Sequence, residues 1–376
     1  MGVHHGLVPK YIQKEIINFF NNGVIDVLIS TTTITEGVNT SAKNLLVLNA
    51  KKGTKDLKTF DAKNIAGRAG RFLHHYSGRV LIFDKKFQEI INGTDNEIKH
   101  KNFDPSSRKD EIDYFITDET FLGKDDIEKR KLILQKQVER GIPDEIMSMF
   151  RVISHSDKIV IFDNICALSP LEFKHIRSLV SSINGRNMNI DYDGFNVVLN
   201  VVRPTVKSQT LQFLIDNKTA LKRGPSAGTL YSTMTHSLYA YLAGGYEGNV
   251  NYHLSKAKAA NINNPEDKAI RDASKFVFNT LKYQLVKYLG VFNLMYKFYI
   301  SRAKGINLDE VSGIDILLLK LEYNATSDKG RLASDYGVPS KIVEYYDQDE
   351  PDYIKSQFDR FEQTKFAEIE AILNKD

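Results

Sequence analysis

Residues 64–71 read NIAGRAGR, which sets Arg68 and Arg71 three apart among side chains too small to cover them. Glycine inside a helix costs about 1 kcal/mol relative to alanine, and this stretch accepts it twice, at Gly67 and Gly70. Such a sequence needs close approach by another backbone or by a ligand. Two readings stay open at this point: a tight packing contact carrying two surface charges, or a pair of guanidinium groups presented to an anion. The segment from Asp61 to Arg71 is predicted to start a helix, with GRVLIFD (78–84) following as a strand. Upstream, PKYIQKEIINFFNNG (9–23) places Tyr11, Ile12, Ile16, Phe19 and Phe20 at helical spacing and stops at Asn-Gly. VIDVLIST (24–31) and LLVLNA (45–50) read as short buried strands. Apolar strands alternating with helices predict α/β structure, a parallel sheet covered on both faces.

Ligands of such sheets sit at the loops beyond the carboxyl ends of the strands. One loop there is unusual: STTTITEGVNTSA (30–42) is rich in hydroxyl groups, which hold phosphate oxygens without a full positive charge. An ordinary threonine-rich loop is the plainer alternative.

Bulk composition narrows the class. The chain has 376 residues, 42% of them hydrophobic and 26% charged, enough for two or three domains with real cores. A single cysteine, Cys166, rules out an internal disulfide framework and a cysteine-based zinc site, and makes the cytoplasm the default compartment. No run approaches the ~20 apolar residues of a membrane span, so no membrane partner is expected. Net charge is +4, and the basic excess lies in residues 1–100, with 14 Lys/Arg against 9 Asp/Glu. That bias suits an anionic partner but is too small to argue nucleic-acid binding alone.

The order of the unusual stretches carries more. VLISTTTITEGVNTSAKNLLV (27–47) followed by DAKNIAGRAGRFLHHYSGRVLIF (61–83) resembles motifs V and VI of superfamily 2 helicases, and VHHGLVPKYIQKEIINFFNNG (3–23) is similar to the preceding motif. The pattern is that of DExH-type helicases over residues 1–90. Within that group it looks most like bacterial helicases, including those of Hachiman-type antiviral defence systems.

The resemblance implies a partial RecA-like lobe followed by a mostly α-helical C-terminal region. In such enzymes ATP and Mg2+ lie between two RecA-like lobes, and motif VI arginines reach the phosphates. Arg68 and Arg71 match those catalytic positions, with Arg71 the candidate finger. A planar guanidinium suits the role because it pairs with two phosphate oxygens and stays charged. Gly67 and the small residues around it would let the segment press against the nucleotide. Asn64 stands where many relatives carry glutamine, which shortens its reach. Gly37 and Asn39 match the nucleotide-side part of motif V. Thr31, Thr33 and His5 match positions near the nucleic-acid backbone, DNA or RNA, with a single strand as partner. The pairs His4/His5 and His74/His75 lack further ligands, and no metal is expected.

Neither a Gly-x-x-x-x-Gly-Lys-Ser/Thr loop nor a DExH box occurs; GTKDLKT at Gly53 and GPSAGTL at Gly224 both fail the pattern. The chain is therefore expected to be the C-terminal half of a helicase, dependent on an N-terminal RecA-like lobe carrying the P-loop and DExH box, and inactive alone. An ATP-independent binding or scaffold protein that retains the lobe as a fold is the alternative.

Three domains are expected: residues 1–100, the second RecA-like lobe; 101–205, a helical connector or accessory domain; and 206–376, a helical bundle. KIVIFD (158–163) and YDGFNVVLNVV (192–202) are read as extended pieces within the helical part. KFVFNTLKYQLVKYLGVFNLMYKFYI (275–300) mixes aromatics with lysines, either to line a nucleic-acid channel or, more commonly, as core with lysine stems reaching water.

Overall fold

A computed structural model describes residues 1–32, 38–70, 75–93, 110–183, 190–220, 229–348 and 351–373, and the chain divides into two units, Met1–Asn102 and Phe103–Asp376. The first is a partial RecA-like α/β lobe, the second a mostly helical region.

In the first unit, strand β1 (Gly2–His4) leads through helix α1 (Lys10–Asn21) to β2 (Leu28–Ser30), and the two strands pair in parallel with His4 opposite Ser30. Strand β3 (Asn44–Val47) is followed by a small antiparallel pair, β4 (Lys51–Lys52) and β5 (Lys55–Asp56), then by α2 (Thr59–Ala66), β6 (Arg79–Ile82) and α3 (Lys85–Ile91). β3 and β6 pair in parallel, with Leu46 opposite Leu81. Alternation along these strands sends Leu45, Val47, Val80 and Ile82 to one face, where they meet Ala62 of α2 and Phe87 of α3. Asp84 starts α3, accepting a hydrogen bond from the Lys86 amide (2.9 Å) with one oxygen and from the Ala50 amide (2.8 Å) with the other.

Two sequence expectations are corrected here. Leu46, Leu81 and Phe83 are exposed, as are Val3 and Ile29 on the first pair, so among the described residues each parallel pair is covered on one face only. The helices supplied by this segment pack on a single side of each pair. The helix expected over Asp61–Arg71 is present but stops short: α2 ends at Ala66, Gly67 caps it, and Gly70 has φ +64°.

The second unit runs through α4 (Asp113–Ile116), α5 (Lys124–Glu139), α6 (Asp144–Ser148), α7 (His155–Cys166), α8 (Pro170–Ile183), α9 (Tyr192–Val202) and α10 (Gln209–Asp216). The antiparallel pair β7 (Lys218–Ala220) and β8 (Leu230–Ser232) precedes α11 (Thr233–Ala259) and α12 (Pro265–Lys275). From α12 a π-helical stretch, Phe276–Leu285, leads without a break into α13 (Val286–Lys304), which stops at Gly305 with φ +67°. Every residue from Tyr288 to Phe292, and on to Tyr296, is buried. A helix buried all round is the axis of a core, and α7, α8 and α9 pack in the same cluster. Its lysines behave as stems reaching outward: Lys287 lies over the Tyr288 ring at 4.9 Å and Lys297 pairs with Asp315 at 3.6 Å.

KIVIFD and YDGFNVVLNVV, expected to be extended, are helical in α7 and α9. Their caps decide it: Ser154 accepts from the Asp157 amide (3.1 Å), and Asp191 from the Gly194 amide (2.7 Å). Helix α14 (Asp315–Tyr323) buries Leu317 and Leu321 in the same cluster as α7 and α9, and a last group, α15 (Asp328–Tyr336), α16 (Ser340–Asp347), α17 (Pro351–Ser356) and α18 (Arg360–Leu373), builds a second small core around Ile342, Phe358 and Phe366.

Candidate functional site

Two clusters form in the first unit from residues far apart in sequence. At the carboxyl ends of β1 and β2, the Thr31 amide donates to the His4 carbonyl (3.3 Å), which sets His5 and Thr31 side by side. His5 Nδ1 accepts a hydrogen bond from the Leu7 amide (3.1 Å), so the ring carries its proton on Nε2. Gln13 of α1 donates to the His5 carbonyl (3.1 Å) and fixes the turn. His4 is buried, and burial holds its imidazole pKa below the ordinary value. The histidine pair is thus divided, with one ring inside and one half-exposed at the strand ends.

The second cluster is built on the backbone of residues 38–42. Asn21, the last residue of α1, donates to the Asn39 carbonyl (3.1 Å) and accepts from the Ser41 amide (2.8 Å). Arg68 Nη1 donates to the Val38 carbonyl. The Gly70 amide donates to the Ala42 carbonyl (2.8 Å), and His75 Nε2 bonds the Ser41 carbonyl at 2.7 Å. Three separate elements therefore grip one five-residue segment by its main chain. Asn39 is exposed within it, and Asn64, one turn before Gly67, is exposed on α2.

The glycines now have separate reasons. A Cβ on Gly70 would lie 2.2 Å from the Gly78 amide nitrogen and 2.3 Å from its Cα, so the chain passes directly over the start of β6. At Gly67 a Cβ would meet the Lys63 carbonyl at 3.3 Å and the Asn64 carbonyl at 3.7 Å, in an ordinary right-handed conformation. For Gly70, the close neighbour is backbone.

Of the residues expected at the site, His5 joins Thr31, Arg68 holds the segment 38–42 that contains Asn39, and Gly67 and Asn64 stay on α2 and its cap. Thr33, Gly37 and Arg71 lie outside the described residues. Asn21 and His75 are additions to the expected set: Asn21 stands just before the Asn22-Gly23 stop, and the sequence offers His75 only as a metal ligand. In the second unit His175, Asp191 and Asp193 lie close enough to hold a cation. Asp191 already caps α9 and takes the Ser178 hydroxyl (2.6 Å), and Asp193 takes the Tyr231 hydroxyl (2.9 Å).

Residues 1–73 match the helicase conserved C-terminal domain, so the first unit carries a helicase C-terminal region. Over 92 residues the chain is 36% identical to Anti-bacteriophage protein B of Escherichia coli K12, an alignment covering 24% of this chain and 13% of that protein. It is 25% identical over 234 residues to the ATP-dependent DNA helicase Hel308 of Caldivirga maquilingensis, covering 54% of this chain and 31% of the helicase. Human Activating signal cointegrator 1 complex subunit 3 is 34% identical over 104 residues, 26% of this chain and 4% of that protein. The chain thus spans less than a third of the length of each of these relatives. Among the described residues, no helix is long and apolar enough to cross a membrane.

Proposed function

We propose that this chain supplies the second motor lobe and a helical accessory region of an ATP-driven helicase acting on DNA or RNA. Hydrolysis would require a first RecA-like lobe that brings the P-loop and the DExH box. The observation that carries the reading is the grip on residues 38–42 by Asn21, Arg68 and Gly70, within a stretch that matches a helicase C-terminal domain. That segment follows Thr31, on the strand side, and is tied to the end of α2, on the nucleotide side. One stretch of chain that serves two ligand sites is a means for ATP-driven closure to change the grip on the strand.

In this reading Arg71 is the finger on the γ-phosphate of Mg2+-bound ATP. Arg68 holds the loop to the helix end, and Gly37, Asn39, Asn64 and Gly67 border the nucleotide. His5, Thr31 and Thr33 contact a single strand. Two relatives support the class of partner: one is named as a DNA helicase, and one as an anti-bacteriophage protein, which fits a role in defence against phage. The cytoplasm is the compartment in which such a motor would meet its strand.

The test is reconstitution. Supplying a first lobe with an intact P-loop should produce ATP hydrolysis stimulated by single-stranded nucleic acid, and neither part should hydrolyse ATP alone. Full turnover by the purified chain would sink the half-motor reading.

A further inference from the structure

A cavity of about 550 Å³ opens in the second unit between α8, the last turns of α13 and residues 308–312. Its size falls in the range of roughly 300–1,000 Å³ found for small-molecule sites. One wall is aromatic: Phe173 and Tyr299 stack with ring centres 5.3 Å apart and planes 20° apart. Arg177 and Lys304 also line it, and neither makes an ion pair among the described residues. Tyr296 is 4% exposed and lines the cavity, yet its hydroxyl makes no hydrogen bond among the described residues. The hydroxyl is accessible rather than sealed in, so a ligand in the cavity can supply a partner. Burial raises the Tyr296 pKa and nearby Arg177 pulls it back, so guanidinium and phenol share one electrostatic neighbourhood. Glu310 adds a carboxylate on the rim, steadied by Asn307 at 3.2 Å.

Two cations and a phenol proton call for an anion. The stacked rings call for a flat, apolar group, and a carboxylate acceptor on the rim calls for a hydroxyl or amino donor on the same ligand. A bare phosphate satisfies only the first, and an apolar ligand only the second. We propose that this cavity binds a nucleoside monophosphate unit, its phosphate held by Arg177, Lys304 and the Tyr296 hydroxyl, its base laid against Phe173 and Tyr299. The unit is either a free nucleotide or the terminal nucleotide of a single strand. The site lies wholly in the second unit and does not depend on the motor reading.

Calorimetric titration of the full chain tests it with four probes: AMP, adenosine, and a short oligodeoxyadenylate with and without a 5′-phosphate. AMP should bind with a dissociation constant on the order of 100 μM and about tenfold tighter than adenosine. Arg177→Glu should abolish binding. Tyr296→Phe, which keeps the ring, should weaken it about threefold to tenfold with the melting temperature unchanged. A phosphorylated oligonucleotide that binds more tightly than AMP assigns the strand end as the ligand, and AMP binding without oligonucleotide binding assigns the free nucleotide. Absence of binding by every phosphate-bearing probe overturns the proposal. So does equal affinity for adenosine and AMP, or AMP binding that survives Arg177→Glu and is lost on Arg68→Ala.

Discussion

Replacing Gly70 by alanine attacks the one glycine of NIAGRAGR whose need is visible in atomic distances. Its φ of +64° is left-handed, which costs a side-chain-bearing residue about 1–2 kcal/mol. The new Cβ would stand 2.2–2.7 Å from three backbone atoms of Ser77 and Gly78, none of which can swing aside as a side chain would. Overpacking of this kind adds about 1–3 kcal/mol, so Gly70→Ala should cost the first unit about 2–5 kcal/mol, against the ~5–15 kcal/mol stability of a typical domain. Gly67→Ala is the control. Its φ is −65° and its nearest contact is 3.3 Å, so it should change stability by less than about 0.5 kcal/mol. Hydrogen exchange of the β3 and β6 amides in increasing urea measures the loss where it occurs. If Gly70→Ala left those amides as protected as in the parent, or if both substitutions cost the same, the close-approach explanation would be wrong.

The remaining predictions concern charge. Burial lowers His155 and His253 to about 4 from an ordinary 6.5, so between those values the unfolded chain binds more protons than the folded one. The second unit should therefore lose stability as pH falls from 6.5 toward 4, and a His155→Gln, His253→Gln double variant should have a flatter melting profile over that window; an unchanged slope refutes this. Lys158 is fully buried, donates to the Met147 and Met149 carbonyls, and is lowered to about 8 by burial. Between pH 8 and 10.5 only the unfolded lysine stays protonated, so the parent should gain stability relative to Lys158→Met as pH rises, and a constant difference in urea midpoints across that range would contradict it. Single-strand binding by the first unit should weaken steeply with salt, as phosphate contacts do; filter binding that is indifferent to salt would count against Thr31 and His5 as backbone contacts.

Much of the first unit was legible because its signals are local. The Asn-Gly stop of α1, the apolar runs of β2, β3 and β6, and the sequence order of the motif-like stretches all survive in the fold. KIVIFD and YDGFNVVLNVV were misread because a short apolar, β-branched run fits a buried strand and a buried helix equally well. The capping residues Ser154 and Asp191 were the signal that separates the two, three residues before Asp157 and Gly194. At the candidate site, sequence pointed to Arg68 and Asn39 but not to Asn21 or His75. Those side chains act on main-chain atoms 18 and 34 residues away, and nothing in their own neighbourhood marks that reach. The open faces of the parallel pairs were illegible for a related reason: Leu46, Leu81 and Phe83 are as apolar as their buried neighbours, and only the placement of the helices leaves them exposed.

The most direct measurement is strand-stimulated ATP turnover after a first lobe is supplied, comparing the parent with Arg71→Lys and Arg71→Ala. Fingers of this kind contribute roughly 10³- to 10⁵-fold in rate, or about 4–7 kcal/mol of transition-state stabilisation. Arg71→Lys keeps the charge but loses the two-pronged planar donor. Both variants should therefore lose at least about a thousandfold in turnover while melting as the parent does. If Arg71→Ala stays within about threefold of the parent, Arg71 is not the finger. If Arg68→Ala also spares turnover and only lowers the melting temperature, NIAGRAGR is a packing motif and the lobe is not half of a motor.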